Sequence, residues 1–183
     1  DAKGNYVFPG AIDTHAHLND PGYEWREDYE HGTAAAALGG YTTVIDMPLQ
    51  NEPAMVNAEA FDFKLKKVDP NAYCDYCFWG GLIPDNFKDL KDLDEKGCVA
   101  FKSFIGPVSQ DYSSLNYGQA YEAMEIIKEF DGRAGFHCED FSMIKNLEKI
   151  EKAKDPAAAR AYIYGFICHF ALDSECHPYV EKI

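Results

Sequence analysis

The segment GAIDTHAHLNDPG, residues 10–22, ends a predicted strand with two histidines that are one residue apart. Alternate residues of a strand face the same side, so we expect Asp13, His15 and His17 to share one face. Two imidazoles on one strand face can reach a common point, and divalent metal ions are commonly held in this way. An exposed polar strand face is the alternative that this segment leaves open.

On the C-terminal side of this segment, the chain alternates short apolar runs with longer stretches of helical pattern. The predicted strands span residues 7–17, 42–47, 73–83, 98–105 and 134–138. The predicted helices span residues 28–38, 57–68, 86–96, 117–130 and 156–172. The first three helices open on Asn or Asp, which are predicted N-caps, and Gly39 and Gly97 follow two of them as predicted C-caps. Strand starts recur roughly every 30 residues, which is the length of one βαβ unit.

Repeated βα units form either an open doubly wound sheet or an eight-stranded barrel. A doubly wound nucleotide-binding fold carries a glycine-rich turn after its first strand, whereas this first strand ends in His-x-His. The pattern therefore predicts an α/β fold of the (β/α)8 TIM-barrel type. A complete barrel takes about 250 residues. The 183 residues are expected to be one partial barrel domain, residues 1–183, with about five βα units and roughly three missing.

Composition excludes several classes of function. Lys and Arg total 17 against 31 Asp and Glu, which gives a formal net charge of −14. Such a surface repels nucleic acid and anionic membranes. The sequence contains neither a membrane-spanning apolar run of about 20 residues nor signal-peptide regions, so we expect a cytoplasmic protein. The six cysteines are expected to be reduced, because a chain of this length does not need disulfides for stability.

Two later strands carry further candidate site residues. In AFKSFI, residues 100–105, Lys102 is predicted to lie on a covered strand face, where a buried ammonium must be neutralised or lose its proton. In GFHCED, residues 135–140, His137 ends the fifth predicted strand, at the barrel face where barrel enzymes build their sites. The local patterns leave open that Lys102 is an exposed strand-end lysine and that His137 is an ordinary polar residue.

The other histidines and the cysteine pair are expected to lie outside any site. His31 falls in a helix and is predicted to be a surface residue, and His169 and His177 follow a helical pattern. Cys74 and Cys77 are three residues apart on a predicted strand, so they face opposite sides and do not form a metal or redox pair.

The ordered motifs PGAIDTHAHLNDPG, TAAAALGGYTTVIDMPLQNEP, FWGGLIP, GCVAFKSFI and GFHCED resemble the cyclic-amidohydrolase branch of the amidohydrolase superfamily. The resemblance extends to about Asp140. In that family a His-x-His pair, a carboxylated lysine and two further histidines hold two divalent metal ions, with an aspartate as metal ligand and general base. Carried over by position, it implies that His15, His17, Lys102 and His137 are metal ligands, with N6-carboxylated Lys102 bridging two ions, expected to be Zn²⁺.

Within this branch, the residue two positions after His-x-His is informative. Dihydroorotases carry an arginine there that holds a substrate carboxylate, whereas this chain has Asn19, as allantoinases do. The DMPLQNEP run also resembles allantoinases more than hydantoinases, and Asp20 in place of the usual Glu is a mild departure. The resemblance implies that Asn19 binds substrate and that the enzyme hydrolyses a cyclic ureide, allantoin, to allantoate. The alternatives are a hydantoinase or dihydropyrimidinase, a dihydroorotase, or a non-catalytic scaffold relative.

The resemblance also implies what this stretch of chain does not supply. The remaining metal histidine and the catalytic aspartate are expected beyond it, together with N-terminal β-sandwich strands and C-terminal barrel units. We therefore expect the 183-residue chain alone to be inactive, and the full-length enzyme to be a homo-oligomer, a tetramer by resemblance.

Overall fold

The computed structural model describes residues 1–109 and 112–145. It divides into two units, Asp1–Cys138 and Glu139–Ile183. The first unit contains a five-stranded sheet whose parallel strands are arranged in chain order. The strands are β1 (Ala11–Ala16), β2 (Tyr41–Asp46), β3 (Asp75–Gly81), β4 (Cys98–Phe104) and β5 (Ala134–His137). They form a curled half-barrel, so the predicted incomplete barrel is confirmed.

Four α-helices connect the strands of the first unit. They are α1 (Tyr29–Leu38), α2 (Ala58–Val68), α3 (Leu90–Lys96) and α4 (Tyr117–Lys128), with short 3-10 helices at Asp69–Asn71 and Phe87–Asp89. The predicted helix at 156–172 lies outside the described residues, as do His169 and His177. Among the described residues, no helix has the length and apolarity that crossing a membrane requires.

Side-chain caps fix the starts of three helices. Asp28 accepts a hydrogen bond from the His31 backbone N–H at 2.7 Å, and Asn57 accepts one from Ala60 at 2.9 Å. At α4, Asn116 and Gln119 form a reciprocal capping box. The predicted caps at residues 28 and 57 are therefore confirmed.

The end of α3 shows why the predicted C-cap holds there. Gly97 has φ of +112° in the left-handed region, where a side chain is disfavoured. Its backbone N–H donates to Asp94, which closes the last turn.

The predicted cap at Asn86 is wrong. Its amide nitrogen donates to the carbonyls of Val56 and Gly81, both at 2.8 Å, and its Oδ1 accepts from Ile83 N–H at 3.0 Å. Asn86 thus closes the loop after β3, and the chain makes a 3-10 turn before α3 begins at Leu90.

The main core lies between the sheet and the helices. Strand residues Val44, Phe78 and Phe101 pack with helix residues such as Phe61 and Leu93 in one cluster of buried side chains. Phe61 meets Phe78 edge to face, with ring centroids 5.4 Å apart. A smaller cluster of Met47, Leu49 and Tyr112 lies among the segments that follow the strands.

The cysteines of the described residues agree with a reduced protein. Cys74, Cys77, Cys98 and Cys138 form no disulfide. Burial raises the pKa of the Cys98 thiol to about 12, so this group stays protonated at neutral pH. Cys168 and Cys176 lie outside the described residues.

Of the second unit, the structure describes residues 139–145. Within this segment, Asp140 Oδ1 accepts hydrogen bonds from the backbone N–H groups of Ser142 at 2.8 Å and Met143 at 3.0 Å.

Candidate metal centre

The two histidines of the first motif lie side by side at the end of β1. Their ring centroids are 5.4 Å apart, and both side chains are exposed. Ala16 and Leu18, the residues that alternate with them, are buried in the core between sheet and helices. From His15 to Leu18 the predicted alternation of faces is therefore present, and the two imidazoles lie on the exposed side.

Lys102 and His137 both contact the aromatic ring of Phe104. Lys102 lies in β4 with 7% of its surface exposed, and its ammonium is 5.0 Å from the centroid of the Phe104 ring. The His137 ring stacks on the same Phe104 at 5.3 Å, with the planes 14° apart. The prediction that Lys102 is covered is thus confirmed, and the exposed strand-end alternative is wrong.

Electrostatic effects connect these groups. Partial burial and the nearby charge of Lys102 lower the pKa of His15, with a smaller contribution from His137. The pKa of His17 is lowered by partial burial first and then by His15, with Lys102 also contributing. Neutral imidazole is the form that binds a metal, so this environment favours ligand chemistry.

The described residues do not complete a metal site. Within the described residues, 1–109 and 112–145, no three His, Cys, Asp or Glu side chains lie in an arrangement that could hold a metal ion. The donor types nevertheless fit a divalent metal, because two imidazoles lie together and the charges of Lys102 and His137 both act on one of them. Whether His15, His17, Lys102 and His137 are ligands stays a prediction.

The predicted substrate residue Asn19 lies in the segment after β1. It is 5% exposed and has φ of +54°, and its amide nitrogen donates to Gln50 Oε1 at 3.1 Å. This bond joins the segment after β1 to the segment after β2. A role for Asn19 in substrate binding stays a prediction.

A cavity of about 250 Å³ opens among the segments that follow β1, β2 and β4. Its lining includes Tyr23, Arg26, Gln50, Asn51 and Tyr112. Arg26 is close enough to His17 for its charge to lower the pKa of that imidazole. The cavity therefore lies within electrostatic range of His17.

A tryptophan that the sequence analysis did not select crosses the sheet. The indole N–H of Trp79 in β3 donates to the Thr14 carbonyl of β1 at 3.0 Å. A Cβ at Gly135 of β5 would lie 3.0 Å from the same ring. Glycine at 135 thus leaves room for the indole. The available signal in the sequence was the tryptophan in the strand motif FWGG, residues 78–81.

Sequence reasoning also missed a buried ion pair next to the site. Asp46 ends β2 and is 0% exposed, and Lys64 of α2 is 2% exposed. Lys64 Nζ lies 2.5 Å from Asp46 Oδ2. The available signal was helical spacing, because Lys64 lies three residues after Phe61 and four before Val68, which are core residues.

His31 is a surface residue, as predicted. Its side chain is 78% exposed, and its Nδ1 lies 2.9 Å from Asp28 Oδ1. The hydrogen bond and charge of Asp28 raise the pKa of His31. The pKa of Asp28 is lowered first by the hydrogen bond from the His31 backbone N–H and to a smaller extent by the His31 side chain. The His31 contribution to stability is lost as pH rises through its raised pKa, and the Asp28 contribution is lost as pH falls through its lowered pKa.

We expect Asp28→Asn to lower the pKa of His31 toward 6.5, because it removes the carboxylate that stabilises the imidazolium. An NMR titration of the His31 ring protons measures this shift. Glu30→Gln is the matched control, since Glu30 is a lesser cause of the raised pKa and its loss should move it less. Equal shifts in the two variants would contradict the assignment to Asp28.

The parallel half-barrel, with paired histidines at the end of its first strand, places the chain in the α/β class with a partial TIM barrel. The family model described as "Amidohydrolase family" matches residues 6–164, so the chain belongs to the amidohydrolase family.

The chain is similar to allantoinases and to hydantoinases. The chain is 40% identical over 134 residues to allantoinase of Saccharomyces cerevisiae, which covers 73% of this chain and 29% of that protein. It is 35% identical over 168 residues to allantoinase of Salmonella paratyphi B, covering 89% of this chain and 37% of that protein. L-hydantoinase of Arthrobacter aurescens matches its structure with a TM-score of 0.79 at 29% identity, covering 85% of this chain and 35% of that one. The chain thus spans about a third of the length of these relatives.

Proposed function

We propose that the full-length protein hydrolyses a cyclic amide in a metal-dependent reaction, and that its substrate is allantoin, which is opened to allantoate. The observation that carries the proposal is the His15 and His17 pair within electrostatic range of Lys102 and His137, in a chain that is 35 to 40% identical to allantoinases. The identity to L-hydantoinase is lower, at 29%, although the fold agrees well.

In this proposal, His15, His17 and His137 would hold two divalent ions together with Lys102 in its carbamate form. Bound ions of this kind lower the pKa of water toward neutrality and polarise a carbonyl group. Zn²⁺ is the proposed metal. The remaining histidine and the aspartate that moves the proton are assigned, by the resemblance, to parts of the enzyme beyond this chain.

The residues of this chain prepare the site in definite ways. As a neutral amine, Lys102 Nζ can attack the carbon of CO₂ and release one proton, which leaves an anionic carbamate. The low pKa of His15 and His17 keeps both imidazoles neutral and able to coordinate. Asn19 and the adjoining cavity would orient the substrate ring.

The remaining parts of the proposal concern the whole protein. We assign it to the cytoplasm on the composition, and we propose a homo-oligomer on the resemblance. The proposed partner is a small-molecule cyclic ureide, with neither nucleic acid nor membrane involved.

The test is a substrate and metal profile of the purified full-length protein. We expect about two bound zinc ions per chain and turnover of allantoin that is lost on chelation and restored by Zn²⁺. Turnover of hydantoin or dihydroorotate without turnover of allantoin would assign the protein to another cyclic amidohydrolase. A folded protein that neither binds metal nor turns over any of the three would overturn the proposal in favour of a scaffold relative.

A further inference from the structure

The end of β2 carries a negative charge that has no contact with water. Asp46 Oδ2 accepts hydrogen bonds from Lys64 Nζ at 2.5 Å and from the Tyr29 hydroxyl at 3.1 Å. All three side chains are buried, with 0 to 2% of each exposed. A carboxylate in such surroundings is a strong acceptor for any N–H that reaches it.

The other oxygen of this carboxylate reaches the histidine motif. Asp46 Oδ1 accepts a hydrogen bond at 3.0 Å from the backbone N–H of Leu18, the residue directly after His17. A second bond, from Met47 N–H to the Ala16 carbonyl at 2.9 Å, holds the residue directly before it. The backbone on both sides of His17 is therefore fixed to the end of β2.

The cation of the pair extends the same network to the segment after β2. Lys64 Nζ also donates to Asn51 Oδ1 at 2.8 Å. The amide nitrogen of Asn51 donates in turn to the carbonyls of Met47 at 3.1 Å and Leu49 at 2.9 Å. One ion pair thus joins the segments that follow β1 and β2, and Asn51 lines the cavity of about 250 Å³.

Stabilisation of the fold does not by itself explain why Asp46 and Lys64 form a buried ion pair. Burying two charges costs most of what their attraction returns, and apolar replacements of similar volume are often as stable. What an apolar pair cannot supply is an acceptor for the Leu18 N–H. We propose that Asp46 is a positioning residue that holds the backbone around His17 so that its imidazole can coordinate metal, with Lys64 as the counter-ion; this rests on the proposed metal-dependent function.

Two double variants of the full-length protein separate positioning from charge. Asp46→Asn with Lys64→Met removes both charges but keeps an amide oxygen for the Leu18 N–H and an amide nitrogen for the Tyr29 hydroxyl. Asp46→Leu with Lys64→Met removes both charges and the acceptor. The measurements are the apparent affinity for Zn²⁺ by competition with a chelator, and thermal unfolding of the metal-free protein.

We expect Asp46→Leu/Lys64→Met to bind Zn²⁺ about 10 to 100-fold more weakly than the wild type, the usual cost of losing a group that orients a ligand. Asp46→Asn/Lys64→Met should stay within about threefold of the wild type, because the oriented backbone is retained. Equal affinity in the two double variants overturns the positioning role. If the leucine variant does not fold, the asparagine variant decides, since a tenfold loss there would mean that charge matters and not the hydrogen bond. A folded wild type that binds no Zn²⁺ would instead overturn the proposed function.

Discussion

Replacing Lys102 by alanine in the full-length protein is expected to lower allantoin turnover by more than about 100-fold, since losing a group that only supports a metal ligand already costs 10 to 100-fold. Lys102 is covered in β4, within electrostatic range of the paired histidines, and alanine offers no atom that can carry the bridging carbamate. Short carboxylic acids added to the variant should restore part of the activity, because their carboxylate can occupy the vacated space.

Two controls make this result specific. Lys91→Ala removes a lysine of α3 that is 68% exposed, and it should leave turnover unchanged. Urea unfolding of the Lys102 variant should show a folded protein, so that loss of activity is not loss of fold. Full activity in Lys102→Ala would remove the bridging role, and rescue of the Lys91 variant by the same acids would show that the rescue is unspecific.

The second large effect concerns stability. Asp46→Leu alone is expected to lower the free energy of unfolding by about 3 to 5 kcal/mol, because it leaves the ammonium of Lys64 buried without its counter-ion. Lys64→Met alone should cost a similar amount for the converse reason. The double variant should recover most of the loss, and urea denaturation of the four proteins gives the coupling energy directly.

A surface pair provides the comparison. Lys96 contacts Asp62 at 2.7 Å, but the two side chains are 40% and 57% exposed. Breaking this exposed pair should cost no more than about 1 kcal/mol. If the Asp46 and Lys64 substitutions proved additive, or no more costly than those of the surface pair, the buried charges would not be coupled as their 2.5 Å contact indicates.

The order of strands and helices could be predicted because each unit carries its own local signals. Asp28 and Asn57 accept hydrogen bonds from backbone N–H groups of the helices that they begin, so their capping role can be predicted from the neighbouring sequence. Strand ends are set by partners instead. The first predicted strand began at residue 7, but β1 begins at Ala11, where it meets Tyr41 of β2. Tyr6 is 90% exposed and lies before that pairing.

The candidate site was predictable only in part, for a similar reason. The His15 and His17 pair follows from alternation along one strand. The placement of Lys102 near them depends on four strands curling in one sheet, which the barrel hypothesis supplied. Asp46 and Lys64 were missed because the role of each depends on its contact with the other. They are 18 positions apart in the sequence, and each alone resembles an ordinary charged residue.

The sequential strand order also has a consequence for synthesis on the ribosome. Each of the four strands from β2 to β5 pairs with the strand that precedes it in the chain, so none of these described strands must wait for a distant segment to emerge. Chains grow at about 5 to 20 residues per second, and one βα repeat of roughly 30 residues therefore appears every few seconds. The half-barrel can be assembled vectorially, one repeat at a time, and its paired histidines on β1 are in place before the strand that carries Lys102 has been translated.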